Sequence, residues 1–337
     1  MRHADVAVIV PVFNRATAVV ETLATVARQT MPPRRLIVVD DGSTDGTAAS
    51  VRAWIARTKP NFEAFVVEQP NCGAGAARNR GLREIGDCRY VAFLDSDDHW
   101  PADFLARTVE RMEANPAAVA VSADREYHRL WKSRIGHRSS SGLEQGATPW
   151  LLAGDCGIAS CTLFHSWVVR QLGGYDATLP TGQDVALFLR VSLEGSWLHA
   201  PGEPVRFYVG YTTAQGEASN LSLRFPDRQR RWVRIRERFV YSHGGRAHLA
   251  RSFYQRLFAH RWHKTAATYE RRGQHAYAIA CYRRALRYRP GRIWTRLRLA
   301  MLATRLFVVS PFAPLVAAGR TTSVMRPSVS APRRSAA

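Results

Sequence analysis

Three apolar runs in the first hundred residues, each ending in a polar tip, constrain the fold more than any other feature. They are Val8-Ile9-Val10-Pro11-Val12-Phe13-Asn14-Arg15, Val38-Val39-Asp40-Asp41-Gly42-Ser43-Thr44-Asp45 and Phe93-Leu94-Asp95-Ser96-Asp97-Asp98. The runs are continuous rather than alternating, as in strands buried on both faces of a parallel sheet. In open α/β sheets ligands bind in the crevice beyond the carboxyl ends of the strands, so these tips are the candidate site. Two of the three carry adjacent carboxylates. Such groups repel one another and call for a divalent cation, or the donor groups of a nucleoside, between them.

The segments between the runs complete a β/α alternation. Residues 15–30 place Val19, Leu23, Val26 and Ala27 on one helical face before Pro32-Pro33. Ser43-Thr44-Asp45 can cap a helix over 46–58, Phe65-Val66-Val67 reads as a further strand, and Asn71 to Gly81 is a glycine-rich entry into a helix. That stretch is neither GxGxxG nor GxxxxGK[ST] and follows a late strand, so it is not a dinucleotide or P-loop. A helix is expected from Pro101 to Glu113 and a strand at Val119-Ala120-Val121. Residues 125–150 are polar and read as a loop over the site.

Together these motifs resemble the family-2 glycosyltransferases over roughly residues 5–225. The resemblance implies an α/β GT-A nucleotide-diphospho-sugar transferase fold, with a Rossmann-like, mostly parallel sheet. It implies that Pro11, Val12, Phe13 and Asn14 pack along the nucleoside and that Asp40, beside Asp41, contacts the base. Asp95-Ser96-Asp97-Asp98 matches the DxD motif: Asp97 would bind Mg²⁺ or Mn²⁺, and Asp95 the ribose or the metal's water shell, with Ser96 between them. Arg78 and Asn79 fall in the segment where arginine pairs with the donor phosphates. Downstream, Thr181-Gly182-Gln183-Asp184 leads into an expected helix Val185–Leu193 and matches the segment that supplies the base of inverting enzymes. Asp184 takes the base position, Gln183 stands where Glu is usual, and Trp100 and Gln183 are the acceptor-side residues.

Charge divides the chain. Residues 1–223 hold 22 Lys+Arg and 24 Asp+Glu, net −2, whereas residues 224–337 hold 26 and 3, net +23. The expected organisation is a nucleotide-sugar-binding half over 1–105, an acceptor-binding and catalytic half over 106–223, a basic helical extension over 224–320 and a disordered tail over 321–337. Trp262, Tyr269, Gly273, Ala278, Tyr282, Ala285 and Pro290 are similar in spacing to one tetratricopeptide-type helix pair. Arg228-Gln229-Arg230-Arg231-Trp232 misses the QxxRW spacing of processive synthases. Arg-rich amphipathic helices suit an anionic membrane surface, and no helix-turn-helix, zinc-finger or RNA-recognition pattern favours nucleic acid.

With five cysteines without CxxC, no leader-like segment and no uninterrupted apolar run of ~18–20 residues, the expected location is the cytosol or the cytosolic face of a membrane. The expected activity is inverting, metal-dependent, non-processive sugar transfer from a nucleoside diphosphate sugar to a hydroxyl of a lipid-linked or polysaccharide acceptor. Its alternatives are a sugar nucleotidyltransferase and a non-catalytic adaptor.

Overall fold

Val6 to Val10, Leu36 to Val39 and Val91 to Leu94 are wholly buried, as continuous apolar runs demand. They form the centre of a computed structural model that describes residues 3–129, 132–154, 159–209 and 225–309. Cys156 and the tail expected to be disordered lie outside the described residues. The first half alternates as read: β1 (Ala4–Val12), α1 (Ala18–Ala27), β2 (Pro33–Asp40), α2 (Thr47–Thr58), β3 (Glu63–Glu68), α3 (Ala74–Glu84) and β4 (Tyr90–Phe93). These four strands are parallel, and Val12 pairs with Asp40. The polar tips of β1, β2 and β4 therefore emerge at one edge of the sheet.

The second half adds β5 (Asp98–His99), α4 (Phe104–Glu113), β6 (Ala118–Arg129), β7 (Lys132–Arg138), α5 (Gly142–Ala153), β8 (Thr162–His165), α6 (Ser166–Gln171), α7 (Gln183–Val191) and β9 (Ser196–Val209). The sheet runs β3-β2-β1-β4-β8-β6-β9-β5, with β7 paired to β6. Strand β8 lies antiparallel between β4 and β6, and β6 runs parallel to β9, so the sheet is mixed.

The loop expected over 125–150 is largely regular structure: β6 continues to Arg129, β7 spans Lys132–Arg138, and α5 follows. Its polarity concealed strand pairing because side-chain ion pairs satisfy the charges in place of burial. Glu126 accepts from His128 at 2.7 Å and faces Arg206 of β9 at 3.3 Å, while Asp124 bonds His199 at 2.7 Å. Helix α7 also starts two residues earlier than expected, so Gln183 and Asp184 form its first turn.

Four helices form the basic extension: α8 (Arg228–Ser242), α9 (Arg251–Arg271), α10 (His275–Tyr288) and α11 (Ile293–Val309). Trp262, Tyr269, Ala278, Tyr282 and Ala285 are buried in the α9–α10 pair, in the stretch where the spacing indicates two helices. With little negative charge available, each carboxylate here is used. Buried Glu237 accepts from the Trp262 indole at 2.6 Å, the Tyr288 hydroxyl at 2.6 Å and Arg284 at 2.7 Å. Glu270 accepts from Tyr282 at 2.7 Å, and both oxygens of Asp227 lie 2.9 Å from Arg231 Nε.

The extension is fastened to the second half of the α/β region by α8. Arg236, wholly buried, donates to the carbonyls of Leu152 at 3.0 Å and Gly154 at 2.7 Å, satisfying the open end of α5. Gly182, at φ 80°, precedes α7 where an added Cβ would lie 2.8 Å from Ile235 and Trp232, so only glycine fits both the turn and the contact. Among the described residues no helix is long and apolar enough to cross a membrane.

Candidate active site at the strand tips

The tips of β1 and β2 are tied together by their own polar residues. Asn14 takes φ 51°, receives the Thr44 amide at 2.9 Å and gives its own amide to Ser43 at 2.9 Å. None of the residues expected to cap α2 stands at its N-cap, which is Gly46; Asp45, one residue before it, accepts from the Thr47 amide at 3.1 Å, while Ser43 and Thr44 serve the Asn14 loop. Pro11 and Val12 are buried, whereas Phe13 is 39% exposed and open to a ligand.

The adjacent carboxylates Asp40 and Asp41 do different work. Asp41 accepts from Gln69 at 2.7 Å and from the Cys72 and Gly73 amides at 2.9 and 2.8 Å, holding the loop that enters α3. It is a clamp, not a ligand-facing group. Asp40 accepts from the Ser43 amide at 2.8 Å through one oxygen. Gly42, at φ 79°, permits the turn between them, and an added Cβ there would lie 2.8 Å from the Asn71 amide nitrogen.

Arg78 is the centre of the arrangement. It projects from α3, is almost wholly buried, donates to Asp95 at 2.6 Å, faces Gln183 at 3.4 Å and rests 5.1 Å from the Tyr175 ring centroid. Burial opposes its charge, but the Asp95 carboxylate more than compensates and keeps the guanidinium above its ordinary pKa. Asn79, its neighbour, turns elsewhere. Its amide group bonds both the N–H and the carbonyl of Tyr175, at 2.8 and 2.7 Å, so it orients the 173–176 turn and is not positioned as a phosphate ligand.

The DxDD segment presents three carboxylates in graded environments. Asp95 is partly exposed and paired with Arg78. Burial, then the charge of Asp95, pushes the Asp97 carboxyl up to about 6, with Arg15 at 3.7 Å opposing the shift. Asp98 is buried, accepts from Ser160 Oγ at 2.5 Å, and is also held well above its ordinary pKa by burial and then by the charges of Asp97 and Asp95. Ser96 is also buried. Trp100 is not an acceptor platform: it is 5% exposed, stacks on Phe104 at 4.4 Å and donates its indole N–H to the Ser160 carbonyl at 2.5 Å.

Asp97 and Asp95 fit a hard divalent cation, because their mutual repulsion is what a cation relieves. No group of three or more His, Cys, Asp or Glu side chains stands in metal-binding geometry among the described residues. A Mg²⁺ held by one or two carboxylates completes its shell with water and substrate phosphate, and the residues present suit that second arrangement.

Asp184 opens α7 facing this group. Burial raises its pKa above the ordinary carboxylate value, and Asp95 adds to the effect. The Val185 amide and the charges of Arg78 and Arg236 act against it. Gln183 is buried, donates to the Leu179 carbonyl at 2.5 Å and presents its oxygen to Arg78, so it links α7 to α3. Three contributors escaped the sequence reading. Arg15 had the only available signal, its place directly after the first tip. Ser160 and Tyr175 reach the site from distant segments, and neither carries a motif of its own.

Residues 7–166 match the family described as Glycosyl transferase family 2. Over that stretch, slightly less than half of its length, the chain is similar to this family. TuaG of Bacillus subtilis, a glycosyltransferase named for teichuronic acid biosynthesis, is 39% identical over 115 residues, covering 34% of this chain and 44% of its own length. An uncharacterized glycosyltransferase of Rickettsia conorii is 28% identical over 198 residues, 58% of this chain and 31% of its own. The chain thus spans less than half the length of these curated relatives. Among solved structures, the mannosyltransferase PcManGT of Pyrobaculum calidifontis, in complex with GDP-Man and Mn²⁺, aligns with a TM-score of 0.58 at 22% identity. The alignment covers 91% of this chain and 81% of that one. The fold is GT-A with added C-terminal helices.

Proposed function

We propose that this chain is an inverting glycosyltransferase that moves a sugar from a nucleoside diphosphate sugar to a hydroxyl of a lipid-linked or polysaccharide acceptor. The observation that carries the reading is the convergence of Arg78, Asp95 and the raised carboxyl of Asp184 beside the DxDD tip. The name of TuaG, which refers to a polysaccharide, supports the acceptor class, and the GDP-Man bound by PcManGT supports the donor class.

In this reading Phe13 and Asp40 receive the nucleoside, and Arg78 faces the donor diphosphate. Asp184 accepts the proton of the acceptor hydroxyl as its oxygen bonds to the anomeric carbon. The bond from that carbon to the diphosphate oxygen breaks on the opposite face, and its electron pair leaves with the diphosphate. A raised pKa suits Asp184 to this task, since a general base works best with a pKa close to the operating pH. A Mg²⁺ or Mn²⁺ ion at Asp95 and Asp97 would supply positive charge against the departing diphosphate.

The extension places the enzyme against an anionic membrane on the cytosolic side. Ile293, Trp294, Leu297 and Met301 are exposed along one side of α11 among Arg292, Arg296 and Arg298, a combination suited to lipid head groups and the acyl boundary. Transfer assays with UDP-, GDP- and dTDP-sugars, with product anomers assigned by NMR, test the reading. Retained configuration, or no turnover of any donor with Mn²⁺, counts against it.

A further inference from the structure

A second concave site lies behind the strand tips, a cleft of about 360 Å³ between the 172–179 turn, α7 and α8. Its apolar floor is made by Leu172, Leu179, Ile235 and Phe239. Four arginines line it as well, against the single carboxylate of Asp176: Arg190 comes from α7, and Arg231, Arg234 and Arg238 come from successive turns of α8. None of the residues assigned to the donor or to the base lines this cleft. Tyr175 forms the wall between the two sites, with its ring against Arg78.

The cleft holds more positive charge than the chain neutralises. Arg231 is engaged by Asp227, and Arg190 donates to the Leu172 carbonyl at 2.7 Å. Arg238 has Asp176 only at 3.8 Å, and Arg234 has no carboxylate partner among the described residues. The imidazole of His243 reports the same field, held below its ordinary pKa by burial and then by Arg238 and Arg190. Guanidinium groups three and four residues apart on a helix lie side by side. Each presents a planar fork of donors that matches the oxygens of a phosphate.

We propose that this cleft binds a phosphate-bearing anion, with Arg234 and Arg238 as its main ligands and the apolar part of the ligand on the Ile235–Phe239 floor. A row of forks on neighbouring turns suits a group with several oxygens better than a single carboxylate. The phosphate belongs either to a membrane lipid or to a soluble ester or diphosphate, and both present the same oxygens to the arginines. The proposal goes beyond the sugar-transfer reading and does not depend on it.

The test uses the full chain and the variant Arg234→Gln/Arg238→Gln, whose changes are at exposed positions. Inorganic pyrophosphate is titrated by calorimetry with EDTA present, and cosedimentation is measured with phosphatidylglycerol and with phosphatidylcholine vesicles. Wild-type protein is expected to bind pyrophosphate, and the variant roughly tenfold more weakly or worse, because charge-assisted hydrogen bonds are lost. The variant should keep the wild-type melting temperature. A lipid source is supported if the variant also loses phosphatidylglycerol vesicles and pyrophosphate competes with them for the wild type. A soluble source is supported if only pyrophosphate binding changes. Equal pyrophosphate affinity in the two proteins, or no binding to wild type at millimolar concentration, overturns the proposal.

Discussion

Arg78 reaches Asp95 at 2.6 Å with one amino group and Gln183 with the other, so a single side chain joins the DxDD tip to the helix that carries Asp184. A compact ammonium cannot span both partners. Arg78→Lys is therefore expected to lower kcat/KM by about 10- to 100-fold, since the ion pair and the link to α7 cannot both be kept. Steady-state kinetics on the purified variant, with circular dichroism to establish folding, measures this. Unchanged kcat/KM would show that the bridge has no part in turnover.

Asp184→Asn removes the proton acceptor with little change of shape. The expected result is a fall in kcat of at least ~10²-fold with donor affinity nearly unchanged. Equal losses in both quantities would instead make Asp184 a donor ligand.

The same residue sets a pH dependence. Asp184 must be ionised to accept a proton, and burial raises its pKa, so the acidic limb of kcat/KM should lie at higher pH than for an ordinary carboxylate. Rate should rise with pH through that limb, and residual activity in Asp184→Asn should lack it. A limb at the ordinary carboxylate position would contradict the burial argument.

Asp97→Asn should abolish Mn²⁺-dependent stabilisation by donor while sparing the fold. A bound donor raises the melting temperature by mass action, so the comparison is the shift produced by sugar nucleotide with and without Mn²⁺. An undiminished Mn²⁺-dependent shift in the variant would place the ion elsewhere.

Glu237→Gln tests the architecture of the extension. The carboxylate accepts from Trp262, Tyr288 and Arg284 while buried, and losing one partner of a buried charged network costs about 3–5 kcal/mol. Urea unfolding should show a loss of that order, and a change under ~1 kcal/mol would mean that the helices hold without the network.

The strands bearing the three tips were legible because continuous apolar runs have few other uses, and the glycosyl transferase motifs sit where those runs end. Asp40 and Asp41 show where such reading stops. Neighbours in one motif diverge because Asp41 is consumed by amides at 72 and 73, a tertiary event that the motif does not encode. Arg78 and Asn79 diverge in the same way, since successive helical residues point in different directions. The start of β6 was legible at Val119-Ala120-Val121, but its continuation beyond residue 124 was hidden by polarity, its charges being matched to those of β9. Trp100 stands among the acceptor-side residues in the sequence reading, and sequence does not reveal that its ring is buried against Phe104.

The carbonyls of Leu152 and Gly154 are satisfied by Arg236, a residue from the other side of the charge divide. Composition separates the chain near residue 223, but hydrogen bonding does not. Cutting there would strand the end of α5 without donors and expose the side of Ile235 and Phe239 that closes over α7. A laboratory graft of the α/β region onto another chain's C-terminal region would have to carry an arginine equivalent to Arg236 with it. The heritable unit is therefore the domain together with its basic helices, since α9 also reaches the end of α5 through Arg261 and α8 is tied to α9 and α10 through Glu237.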